Sequence, residues 1–292
     1  MERQLWKAIV AILRELDKGP AAPRFVFSAA RLVEVFYWAV VHDRPVSWAL
    51  HRDHWPLDQR RRPLPSNTTM SRRLRSPRVI ALLTAIERRA LAPKEGELFW
   101  MIDGKPLPIG GCTKDRQAGW GRAAAGKAKG YKVHALVSSQ GKIAAWRIAP
   151  MNKDERTMAR RLLRDAPIQG YLVGDKNFDS NPLHEVCVAK GELQLVTPRR
   201  YGTRHGLGHR RHSAGRRRSI ALLENPWPLF GERLLEHRNA IERCFGHWTN
   251  WGGALTCLPA WVRTHRRVHR WVQAKLVLTA LKRQTNSRTC AE

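Results

Sequence analysis

The chain has few acids. Against 53 Lys and Arg it carries 24 Asp and Glu, a formal charge of +29 over 292 residues. Self-repulsion of that size works against compaction, which excludes a neutral-surfaced enzyme of small metabolites and points to a polyanionic partner, nucleic acid first. Cysteine is also sparse: the five, at 112, 187, 244, 257 and 290, form no Cys-x2-Cys pair. That excludes a disulfide scaffold or a thiolate zinc finger and leads us to expect a reducing cytoplasm. No run approaches the roughly 20 apolar residues of a membrane span, and Met1-Glu2-Arg3-Gln4-Leu5-Trp6 lacks the form of a signal peptide. No internal repeat is visible. A hydrophobic share of 43% and twelve Trp are too much for a disordered basic tail.

The N-terminal third reads as helical. Leu5, Trp6, Ile9, Ile12, Leu13 and Leu16 are spaced for a helix that Gly19-Pro20 stops. Ser28 is a candidate N-cap for a second, nearly all-apolar helix ending before Pro45, and Val46–Trp55 has room for a third. Residues 56–65 are Pro-rich and basic, a linker by composition. Ser66 then opens a short helix carrying Arg72, Arg73 and Arg75, and Val79–Leu91 resumes a helix after Pro77. Short helices with hydroxyls and Arg at one start suit a helix-turn-helix DNA reader, and equally an ordinary helical domain with a basic surface.

From residue 98 the pattern changes to strands. We expect five: Phe99–Ile109, Tyr131–Val137, Lys142–Ile148, Tyr171–Gly174 and Leu193–Thr197, with helices over 154–163 and 182–190. Three strands in hairpin order followed by strands alternating with helices give a mixed α/β sheet flanked by helices. Arg-rich residues 199–218 read as a solvated basic loop. The chain beyond Gly231 reads as helical, broken near Gly252-Gly253 and Pro259.

In a chain so poor in acids, two apolar runs end on one: Leu98–Ile102 on Asp103, and Tyr171–Gly174 on Asp175. A single acid so placed is more often a turn residue or a partner for Arg than a catalytic group. A third, Glu242, follows Arg238 by four residues, on one helix face beside Ile241 and Phe245. Alone, it reads as a surface ion pair. Two His spacings, His205-x3-His209-x2-His212 and His265-x3-His269, imitate zinc ligands but lie in basic surroundings without a Cys pair, and read as DNA-facing surface.

Together the pieces are specific. Ile102-Asp103-Gly104, Gly130-Tyr131-Lys132-Val133-His134, the Gly141 turn, Asp154, Gly174-Asp175-Lys176-Asn177-Phe178-Asp179-Ser180 and Arg238-x3-Glu242-Arg243-x-Phe245-Gly246 resemble, in order, the DDE transposases of bacterial insertion sequences, of the insertion sequence 4/5-like group. The resemblance spans about 98–282. It implies a ribonuclease-H-like mixed five-stranded sheet over 93–285, with a basic insertion at about 199–222, after an all-α DNA-binding domain at 1–92 and before a tail at 286–292.

The resemblance further implies that Asp103, Asp175 and Glu242 are catalytic and hold two Mg2+ ions, with Mn2+ able to substitute, for DNA cleavage followed by strand transfer. Three carboxylates suit that task because Mg2+ is hard and keeps waters, so one or two acids per ion suffice. Asp154 and Asp179 are lesser candidates, read first as a helix N-cap and a turn residue. Candidate DNA contacts are Arg72, Arg73, Arg75, Lys132, Arg199, Arg200, Arg216, Arg217, Arg218, Arg238 and Arg243. Where many relatives carry a Tyr and a Lys around the Arg-x3-Glu element, this chain has Leu235 and Thr249; Arg243 and His247 are nearby cationic candidates, and Trp248 and Trp251 aromatic ones, although lone helix aromatics are more often core. The implied partners are double-stranded DNA, as terminal repeats and target, and a second copy in the DNA complex. The implied location is the bacterial cytoplasm, on the nucleoid. Two other readings stay open: a DNA-binding protein that no longer cuts, and a nuclease that cuts without joining.

Overall fold

The computed structural model describes residues 1–17, 26–92, 96–110, 113–200, 212–224, 229–251 and 255–289. The Gly19-Pro20 stop, residues 201–211 of the basic loop with His205 and His209, and the Gly252-Gly253 break lie outside the described residues. These fall into two compact units. The first joins Met1–Leu91 to Trp248–Leu255 and Arg266–Glu292; the second joins Ala92–His247 to Thr256–His265.

The first unit is helical. Helix α1 (Glu2–Leu16) buries Trp6, Ile9, Val10 and Leu13, one stripe at helical spacing. Helix α2 (Ala29–Val41) starts where Ser28 accepts a hydrogen bond from the Arg31 N–H at 3.1 Å, and it is buried nearly all round. The expected third helix is instead two 3-10 turns, Trp48–Leu50 and Arg52–His54. Here Trp38 stacks on Trp55 at 5.0 Å and Trp6 packs edge-on against both. Aromatic packing, not helix repeat, sets that backbone. Helix α3 (Asn67–Arg73) is capped by Ser66, and α4 (Pro77–Leu91) follows. The last helix, α10 (His265–Thr289), joins this unit from Arg266 onward, although the sequence reading assigns it to the second domain. Gln273 bonds Glu87 at 2.6 Å, Lys275 pairs with Asp43, and Arg270 donates to the Leu74 carbonyl. These ties reach back 186 residues or more, a pairing that local periodicity does not encode.

The second unit is built on a mixed sheet of six strands: β1 (Phe99–Pro108), β2 (Gly119–Ala123), β3 (Gly126–Ser138), β4 (Ile143–Pro150), β5 (Gly170–Val173) and β6 (Leu193–Val196). Strand β3 runs antiparallel to β1, β2 and β4, while β5 runs parallel to β1 and β6 parallel to β5. This arrangement, flanked by helices, is consistent with a ribonuclease-H-like core. Five of its strands are those expected. The sixth, β2, corrects the five-stranded expectation: its sequence, Gly-Trp-Gly-Arg-Ala, has the composition of a loop. Its glycines answer to packing instead, since a Cβ on Gly119 would come within 2.2 Å of Asn152 Oδ1.

Helices α5 (Glu155–Asp165) and α6 (Asn181–Ala189) cover one face. A single cluster there joins Trp100, Ile102 and Leu136 of the sheet to Ala159, Leu162, Leu183 and Cys187 of the helices. Each fully buried Leu in it contributes about 2 kcal/mol, and truncating the fully buried Leu172 costs about 2–5 kcal/mol. The expected 199–218 loop is helical from residue 214: Ala214–Glu224 form α7, packed on α6 and β6. Helices α8 (Leu229–Glu236) and α9 (Asn239–Gly246) complete the unit. Among the described residues no helix is long and apolar enough to cross a membrane.

Candidate active site

Strand β1 has two neighbours that end at different levels. Its antiparallel pairing with β3 continues to Pro108–Gly130, whereas its parallel pairing with β5 stops at Met101–Val173. Asp103 therefore stands inside β1, opposite Ala135 of β3, rather than at a strand end. What ends near it is β5. Asp103 and Asp175 each lie two residues past the last β1–β5 pair, so both stand at the carboxyl end of the parallel strands. In open α/β sheets that place takes ligands.

Asp175 opens a 3-10 turn, Lys176–Phe178, and both its carboxylate oxygens accept hydrogen bonds from Asn177, from N and Nδ2, each at 2.9 Å. Its aim is thereby fixed. Asp103 accepts from the Gly104 N–H at 2.7 Å. Burial pushes the Asp103 carboxyl up to about 6; the charges of Glu155 and Asp175 add to this, while the Gly104 N–H and Arg238 act against it. Burial, more than the neighbouring charges, disfavours the ionised form of Asp103.

Alternation along β1 turns Asp103 and Met101 away from the α5–α6 cluster, and α9 packs against β1 and β3. Glu242, on α9, keeps 61% of its side chain exposed and pairs with Arg238 at 3.6 Å. Arg238 is itself close enough to lower Asp103. Among the described residues no group of three or more His, Cys, Asp or Glu side chains is gathered to hold a metal ion. Asp175 is close enough for its charge to act on Asp103, while Glu242 pairs with Arg238. Neighbouring oxygen donors such as these two carboxylates are the ligand type a hard divalent cation takes.

Behind Asp103, Lys132 pairs with Glu155 at 2.6 Å on the other face of the sheet. His134, opposite Gly104, is buried, and burial together with Lys132 lowers it to about 4, so it is neutral. A Cβ on Gly104 would meet Lys132 Cδ at 2.7 Å and His134 Nδ1 at 3.2 Å, which explains the Gly after the Asp. Glu155 was not singled out from the sequence; nothing in its spacing reveals a partner on a neighbouring strand. Asp154 is the N-cap of α5, accepting from Thr157 N at 2.9 Å.

The candidate DNA contacts divide. Arg72, Arg75, Arg217, Arg218 and Arg243 are exposed, Arg75 folding back to the Ser71 carbonyl and Arg218 to Gln194. Arg200 is exposed, and its backbone N–H binds Asp179. Arg73 is half-buried and donates to the Phe27 carbonyl at 3.0 Å. Lys132 and Arg199 are held in ion pairs, Arg199 with Glu224.

Arg216 is a correction. It is only 6% exposed and donates to Asp179 at 2.6 Å, so it is part of the buried framework rather than a phosphate contact. Asp179, read as a turn residue, is the hub of that framework. Burial alone raises its carboxyl; His184, the Arg200 N–H and Arg216 outweigh burial and hold it at about 2. Trp248 is 2% exposed and is core, as a lone helix aromatic more often is, so it does not serve as an aromatic for DNA. His265 bonds the Ile148 carbonyl at 3.0 Å and packs by Tyr131, away from any zinc role.

The family model described as Transposase DDE domain matches residues 95–275, more than half of the chain. No curated protein matches it.

Proposed function

Because the chain belongs to the Transposase DDE domain family, we propose that it is the transposase of a bacterial insertion sequence of the 4/5-like group, working on the nucleoid. In this reading it binds the element's terminal repeats, cuts them, and joins the freed 3′-hydroxyls to target DNA. The observation that carries the reading is the level placement of Asp103 and Asp175 beyond the end of β5, with Asp103 raised to about 6.

Asp103 and Asp175 would hold a divalent cation, and Glu242 a second. With two Mg2+ ions bound, these residues would hold the chemistry that activates a water or 3′-hydroxyl and stabilises the leaving oxygen. The chain's own residues do the rest. Asn177 fixes the aim of Asp175, and the Gly104 N–H fixes that of Asp103. Arg238 holds Glu242 until a DNA phosphate competes for the guanidinium, since charge-assisted bonds to phosphate rival those to carboxylate. Residues 1–92 would read the repeats through α3, and a second copy would join in the DNA complex.

A second reading has one observation in its favour, the pairing of Glu242 with Arg238 rather than with the two Asp. In that reading the protein binds element ends without cutting them. Incubating the protein with DNA carrying the element's own terminal repeats, with Mg2+ and with a chelator, separates the two. We expect Mg2+-dependent strand cleavage; tight, end-specific binding without a nick would establish the second reading. Cleavage without joining to a target plasmid would make it a nuclease.

A further inference from the structure

The hairpin formed by β2 and the start of β3 has no part in the site above. Its register sets Trp120 opposite Lys129 and Arg122 opposite Lys127. Side chains directly opposite share a face, so one face carries an indole and three cations. Trp120 is 57% exposed, Arg122 and Lys127 are exposed, and Lys129 is half-buried, its Nζ 3.4 Å from the Thr113 carbonyl. The opposite face is pressed inward: a Cβ on Gly121 would come 2.7 Å from Met151 Cβ, as one on Gly119 would meet Asn152. Two glycines thus decide which way the charged face turns.

That face is unfavourable as it stands. Like charges directly opposite destabilise a strand pair, and an exposed indole leaves its large apolar area in water. The only acid in residues 113–130 is Asp115, which is buried and accepts from Tyr131 Oη, Gln117 N and Thr264 N. Of the outward cations only Lys129 acts on it, which leaves Arg122 and Lys127 without an acid from this segment. A polyanion is the complement to their charge, and a flat aromatic ring the complement to Trp120.

We infer that this hairpin face grips single-stranded DNA, with Trp120 stacked on an unpaired base and Arg122, Lys127 and Lys129 against the flanking phosphates. An intact duplex covers its base faces by stacking, so an indole gains from a base only where the strand is open; base–aromatic stacking of this kind is tolerant of sequence. The inference rests on the proposed function and deepens it, naming which part of the DNA this surface takes.

The test is binding of the full-length protein to a blunt duplex and to the same duplex with a single-stranded overhang. Trp120→Ala should weaken binding to the overhang substrate about tenfold and leave the blunt duplex unchanged, while Trp120→Phe keeps most of the affinity. Arg122→Ala and Lys127→Ala should each lower the salt slope on the overhang substrate by about 0.7. An unchanged melting temperature shows that the variants fold. The inference is overturned if Trp120→Ala binds the overhang substrate like wild type, if it loses equally on both substrates, or if it shifts only the oligomeric state in sedimentation. If wild type binds neither substrate, the proposed function falls too. If wild type binds and cuts while Trp120→Ala does both equally well, only the role of the hairpin falls.

Discussion

Arg216 donates to Asp179 at 2.6 Å with both side chains buried, joining α7 to the turn that carries Asp175. Removing one member of a buried pair leaves the other charge uncompensated, at a cost of about 3–5 kcal/mol. We expect Arg216→Ala to lower stability to urea by that order, and Arg217→Ala, at an exposed position, to leave it within about 0.5 kcal/mol. Because Asp179 is held at about 2, the stability it contributes is complete above the ordinary carboxylate pKa. It is lost as pH falls toward 2, and Asp179→Asn should abolish that part of the acid transition. Equal stability of the two Arg variants would contradict the framework role.

Asp103 has the opposite sign. Its carboxyl is raised to about 6, so its contribution is present in full below about pH 4 and is lost as pH rises through 6. In chelator, Asp103→Asn should be more stable than wild type at pH 8, by the order of 1–3 kcal/mol, and no more stable at pH 4. Urea denaturation at the two pH values checks this. A loss of stability at pH 8 would mean that the ionised carboxylate supports the fold.

For activity, Asp103→Ala, Asp175→Ala and Glu242→Ala should each abolish cleavage of terminal-repeat DNA and leave binding intact or tighter, since each removes a charge that repels phosphate. Cleavage and filter-binding measurements on the same preparations check it. Binding lost in step with cleavage would assign these acids to the fold.

The reader is tested at α3. Arg72→Ala and Arg75→Ala, at exposed positions, should each lower the preference for end DNA over random DNA by about 1–3 kcal/mol if they touch base edges. Arg73→Ala should instead cost about 1–2 kcal/mol of stability, from its bond to the Phe27 carbonyl. Competition binding and thermal melts separate the effects; discrimination lost only in Arg73→Ala would reverse the assignment.

What was legible in the sequence was local. Ser28, Ser66 and Asp154 cap helices because a cap needs only an oxygen and an N–H two or three residues on. The strands over 99–108 and 193–196 follow from apolar runs with turn residues around them. What was illegible depended on partners distant in the chain. Arg216 looked like one more cation of a basic loop because Asp179 is 37 residues away. That Asp103 stands level with the end of the parallel pairing could not be read locally, because the strand that stops beside it, β5, is distant in the chain. Strand β2 was hidden by glycines whose reason is Asn152 and Met151. In the site, two acids could be placed from strand pattern alone, but no spacing says that Glu242 turns to Arg238.

The membership of α10 in the first unit has a consequence for synthesis. The chain begins with α1–α4, yet the side chains that tie down Asp43, Glu87 and the Leu74 carbonyl are Lys275, Gln273 and Arg270. A ribosome delivers these after the whole sheet has emerged. The unit that is started first is therefore closed last, and a chain interrupted before residue 270 leaves it open, however completely its sheet has formed.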